Sequence, residues 1–71
     1  MTGRELVKKI KVLGKKQDLV VHIEKRRGKG SHVTLFYGKY FAIIPDLKKE
    51  LKTGTLNAIL KQLSIKATEL R

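Results

Sequence analysis

The 71-residue chain has no cysteine and no tryptophan, a single proline (Pro45), two histidines (His22 and His32) and only six carboxylate side chains. Without thiols it can build neither a disulfide framework nor a thiolate metal site, and two imidazoles with six scattered carboxylates give a structural zinc site little to draw on. Cohesion therefore has to come from apolar packing. No apolar run approaches the roughly 20 residues that cross a bilayer. The opening MTGRELVKK lacks the apolar stretch and small-residue cleavage site of a secretory signal. These absences lead to the expectation of a cytoplasmic protein that does not engage a membrane. A chain this short buries only about 60% of the surface exposed when unfolded and cannot divide it between two cores, so residues 1–71 are expected to form one domain with a shallow site.

What the chain has in excess is positive charge. Seventeen Lys and Arg against six Asp and Glu leave a net charge of +11 at pH 7. So large a charge repels itself unless an anionic partner is present. Nucleic acid, an acidic membrane surface and an acidic protein are the partner classes this charge suits. The cations are spread through KKIK, KK, KRRGK, KK and K with apolar residues between them, which marks a folded basic domain rather than a charged arm.

The apolar residues alternate with periods that define elements. Thr2 and Glu5 have capping-box spacing, and Leu6, Ile10 and Leu13 follow at helical spacing with Val7 widening the stripe. A first helix is expected over 3–13, closed by Gly14 in the left-handed conformation. LVVHIEK alternates as a strand, with Leu19, Val21 and Ile23 on one face and Val20, His22 and Glu24 on the other. HVTLFY and YFAIIP are two further β-rich runs joined by Gly38-Lys39, the signature of a type II′ hairpin. Pro45 cannot donate to a ladder and ends the third strand. After the irregular DLKKELK, Thr53 or Thr55 is expected to cap a last helix whose Leu56, Ile59, Leu60 and Leu63 form one stripe. The tail SIKATELR offers Ile65 and Leu70 for packing, with an end expected to fray. The order helix, three strands, helix is an α+β fold, with both helices on one face of an antiparallel three-stranded sheet. The other face is left open.

Strand parity puts His32, Thr34 and Phe36 on that open face and Val33, Leu35 and Tyr37 on the covered one. His32 directly follows the loop KRRGKGS. An imidazole, with an unperturbed pKa near 6.5, both accepts and donates protons at cellular pH. Beside a phosphodiester it can take the ribose 2′-OH proton or protonate the leaving oxygen. Arg26, Arg27 and Lys29 are near enough in sequence to oppose the charge that develops on phosphorus oxygens, and Gly28 and Gly30 leave backbone N–H groups unshielded. Taken alone, GKGSH reads as a flexible hairpin loop with a surface histidine before it reads as a site, since neither glycine loops nor lone histidines are specific signals. His22 reads as structural or exposed, and Phe36, Tyr37, Tyr40 and Phe41 as cross-strand packing or as stacking partners for unpaired bases. Ser31 and His32, adjacent on a strand, point to opposite faces, so acyl transfer is excluded as a reading.

GKGSH at the mouth of a strand, a proline ending the hairpin, and KKELKTGTLNAILKQLSI together resemble the HicA-type (YcfA-like) toxins, small mRNA-cleaving partners of HicB antitoxins. The similarity runs from about Gly28 to Ile65, and the pairing of its two halves is more specific than either half. It implies a fold like a double-stranded RNA-binding domain. It also implies that the histidine of the G-S-H motif, His32 here, is catalytic, that Gly30 and Ser31 complete the motif, and that no metal or organic cofactor is used. The implied partners are mRNA and a HicB-type antitoxin that masks the histidine. Two stretches depart from the family pattern: the segment between Gly14 and Gly30 is longer than usual, and Asp46 follows Pro45. The competing expectations are a non-catalytic module of the double-stranded RNA-binding type and a basic adaptor for an acidic protein.

Overall fold

The computed structural model describes residues 1–25 and 32–70. Helix α1 (Gly3–Lys16) opens with a reciprocal capping box. The Thr2 backbone N–H donates to Glu5 Oε1 at 2.9 Å, and the Glu5 N–H donates to Thr2 Oγ1 at 3.2 Å. These bonds satisfy two of the donors that the first helical turn leaves without intrahelical partners. The Thr2 N–H chiefly, together with the Thr2 side chain, holds the Glu5 carboxyl below its ordinary pKa. Leu6, Val7, Ile10 and Leu13 are the buried stripe of this helix.

Strands β1 (Val21–Lys25), β2 (Val33–Tyr37) and β3 (Tyr40–Ile44) form an antiparallel sheet in the order β1-β2-β3. The register pairs Val21 with Tyr37 and Tyr37 with Tyr40. Gly38 has φ +59° while Lys39 stays outside the left-handed region, as a tight II′ turn requires. Val33, Leu35, Tyr37, Ala42 and Ile44 are buried on one face. Burial raises the pKa of the Tyr37 phenol, and Glu69 adds to the shift.

Helix α2 (Thr53–Gln62) contributes Ile59 and Leu60 to the core, and Leu63 follows at its C-cap. The buried residues of α1, α2 and the covered sheet face form one cluster that includes Ile65. Both helices therefore cover the same face. Truncating a fully buried member such as Leu35 to alanine would cost about 2–5 kcal/mol. The expected order and layering are thus the observed ones.

Two local expectations need correction. Gly14 does not end α1; it lies buried inside the helix, which runs on to Lys16. A Cβ at position 14 would fall 2.4 Å from Val21 Cγ2 and 3.2 Å from the Leu19 carbonyl oxygen. Its missing side chain lets β1 approach the helix, and the left-handed residue that closes the helix is Asp18, φ 56°. Neither Thr53 nor Thr55 caps α2: Lys52 holds the N-cap position and makes no side-chain capping bond. In the tail, a 3₁₀ turn (Ala67–Leu70) packs on α1 and the Lys66 N–H donates to Glu69 Oε1 at 2.9 Å.

The irregular segment after β3 is tied to the N-terminus. Arg4 N–H donates to the Leu47 carbonyl at 2.9 Å and Leu51 N–H to the Met1 carbonyl at 2.8 Å, flanking a bridge between Thr2 and Glu50. The Met1 ammonium also meets the Glu50 carboxylate. Asp46 Oδ1 accepts from the Lys48 N–H at 2.8 Å, so the residue after Pro45 shapes this turn. The start of α1 is thereby held against the loop that follows β3.

Candidate active site and nucleic-acid interface

His32 is exposed and immediately precedes β2. The burial of β2 alternates, with Val33, Leu35 and Tyr37 inside and Thr34 and Phe36 on the opposite side. Parity thus carries His32 to the open face.

Two depressions meet at this histidine. The smaller, of about 220 Å³, brings His32 together with Arg4, Lys25, Lys48 and Asp46. These cations come from the first turn of α1, the end of β1 and the loop after β3. They converge because the Arg4–Leu47 backbone bond and the Thr2–Glu50 bridge hold the N-terminus against that loop. The cations expected next to the histidine, Arg26, Arg27 and Lys29, lie with Gly30 and Ser31 outside the described residues. Arg4 and Lys48 were not singled out. Capping-box spacing places Arg4 near a helix start, but nothing local in the sequence joins that start to position 48.

The larger depression is an open cleft of about 690 Å³ along the outer edge of β3 and the adjoining side of α2. His32 stands on its border with Lys39, Phe41, Ile43, Thr55 and Gln62. Lys39 Nζ lies 5.4 Å from the centroid of the Tyr40 ring, within cation–π range.

The open sheet face carries a row of rings. His22, Phe36 and Phe41 occupy matching positions on the three strands, since His22 pairs with Phe36 and Phe36 with Phe41. The His22 and Phe36 rings are stacked with centroids 5.9 Å apart and planes at 28°. Phe36 and Phe41 are 5.9 Å apart at 40°. Of the four aromatics considered for stacking, Tyr37 is in the core and Phe36, Tyr40 and Phe41 retain access to solvent. His22 Nε2 also lies 3.4 Å from Glu24 Oε1. Its register partner Phe36 is four residues along β2 from His32, about 13 Å at 3.3–3.4 Å per residue. The two imidazoles are therefore too far apart to grip one phosphate directly.

Among the described residues, no group of three or more His, Cys, Asp or Glu is arranged to hold a metal ion, and no helix is long and apolar enough to cross a membrane. The family model described as the HicA toxin of bacterial toxin–antitoxin systems matches residues 3–65. The chain belongs to the HicA toxin family. This match takes in α1 as well as the stretch from about Gly28 to Ile65 that carries the resemblance. No curated protein and no solved structure gives a match. Membership assigns the chain to the toxin side of a toxin–antitoxin pair.

Proposed function

We propose that this HicA-family toxin is an mRNA-cleaving endoribonuclease that acts in the cytoplasm as a single domain and is restrained by a HicB-type antitoxin. The observation that carries the reading is the position of His32, exposed at the junction of a depression bearing Arg4, Lys25 and Lys48 and an open cleft. Attack of a ribose 2′-oxygen on phosphorus forms the new P–O2′ bond and breaks the P–O5′ bond. The 2′-OH proton must leave to a base, and the departing 5′-oxygen must gain a proton. His32 serves one or both transfers, and the surrounding cations oppose the charge on the non-bridging oxygens. Arg26, Arg27, Lys29, Gly30 and Ser31 are proposed to extend this phosphate grip, and no metal is assigned a role.

An antitoxin that covers the histidine would shut both depressions at once. The test is induced expression of the wild type beside His32→Ala. Growth arrest with loss of mRNA is expected in the first and not in the second. Equal arrest by both would remove His32 from the mechanism. Salt-dependent RNA binding without cleavage would favour a non-catalytic RNA-binding module instead.

A further inference from the structure

The ring row across the open sheet face is not used by the proton-transfer chemistry, and its composition calls for a ligand. Phe41 is 60% exposed and Ile43 41% exposed on the edge strand. Cross-strand pairing accounts for the contacts among the rings, and it leaves most of Phe41 open to water beside the cleft. The three rings follow one another across three strands and lie within 28° and 40° of their neighbours' planes. His22 and Phe36 are stacked on one another and Phe41 is tilted against Phe36, so the row ends on the cleft side at Phe41, and that exposed ring backed by its neighbours is the platform.

We propose that this platform stacks the unpaired bases of single-stranded RNA. Resting on the ribonuclease reading above, the inference names the substrate class and the residues that select it. The sugar-phosphate backbone follows the cleft beside β3, entering at Lys39 and reaching His32, both of which border it. A base turns inward onto Phe41, the exposed end of the row, with Phe36 and His22 backing that ring. The cleft sets this direction: it carries Lys39 and leads to His32 along β3, whereas the middle of the far strand presents Glu24 beside His22. A base accepts a ring beneath it only when its face is free, so a duplex, whose base faces are covered by their neighbours, gains nothing from the platform. Every base has a π-face, so the platform adds affinity with little sequence preference.

The test measures binding in the His32→Ala background, so that cleavage does not consume the probe. The probes are an unstructured oligoribonucleotide and a duplex of the same sequence. Phe41→Ala and Phe41→Leu should each weaken single-strand binding by between about 5- and 150-fold, the range for losing one stacked base. Phe41→Trp should retain it, and duplex binding should not respond to any of the three. Because Phe41 is largely exposed, thermal melts of the variants should match the parent, and the leucine variant keeps the apolar bulk while deleting the ring. Single-strand affinity that is equal in all four proteins would overturn the platform and leave the ribonuclease reading intact. Absence of RNA binding by every protein at low salt would overturn both.

Discussion

Gly14 of α1 and Val21 of β1 are packed so closely that a Cβ on the glycine would lie 2.4 Å from Val21 Cγ2. The helix therefore sits against the strand through bare backbone. Both residues flank the turn in which Leu19 N–H donates to the Gly14 carbonyl at 2.8 Å and Asp18 N–H to the Lys15 carbonyl at 3.3 Å. This double bond pattern around a left-handed residue is a Schellman closure.

Gly14→Ala should lower stability by about 1–3 kcal/mol, because the gain in helix propensity is outweighed by overpacking against β1. A melting temperature lower by at least about 4 °C in a circular-dichroism scan is expected. An unchanged or raised value would mean that the helix and strand can separate without cost.

The end of α2 repeats the same closure with a different residue. Ser64 has φ 58°, and Ile65 N–H donates to the Leu60 carbonyl at 2.9 Å while Ser64 N–H donates to the Lys61 carbonyl at 3.1 Å. A serine in this region carries strain that glycine does not. Ser64→Gly should therefore raise stability by about 0.5–1 kcal/mol, after subtracting the extra entropy of an unfolded glycine. The readout is a melting temperature higher by a few degrees. A fall would show that the serine side chain contributes contacts that outweigh the strain.

The capping box links stability to acid. Glu5 has a lowered carboxyl pKa in the fold, mainly through the Thr2 N–H. Its contribution is fully present above the ordinary carboxylate pKa and is lost as pH falls through the lower folded value. Melting temperature should decline on acidification below about pH 4.5, the ordinary value. Glu5→Gln, which can keep the reciprocal bond, should show a smaller decline. Parallel acid curves for the two proteins would locate the acid sensitivity elsewhere.

What could be read from the sequence, and what could not, follows from the range of the forces involved. Alternation of Val33, Leu35 and Tyr37 with Thr34 and Phe36 is a local record of a strand with one covered face, and the stripe of Leu6, Ile10 and Leu13 records a helix in the same way. Those periods were legible, and they placed His32 at the entry to β2. Gly14 misled because a glycine after the last apolar position satisfies a stop signal as well as a close-packing need. Only the approach of Val21 separates the two. The lack of a side-chain cap at Lys52 was equally hidden, since two threonines offered better chemistry at almost the same place. Around His32, the neighbours from α1 and from the loop after β3 are brought in by backbone bonds linking positions 4 and 47 and positions 1 and 51. Sequence proximity favoured KRRGK, whose candidates lie outside the described residues. The geometry added Arg4 and Lys48, whose pairing no local pattern encodes.

The central claim is that His32 moves a proton during cleavage of RNA. Its most direct test is incubation of the purified protein and of His32→Ala with unstructured single-stranded RNA in the presence of EDTA, followed by analysis of the product ends. The account predicts cleavage by the wild type to fragments with 2′,3′-cyclic phosphate and 5′-hydroxyl ends, and a loss of about 10²-fold or more in the variant. Equal rates for the two proteins, or no cleavage by either, would contradict it.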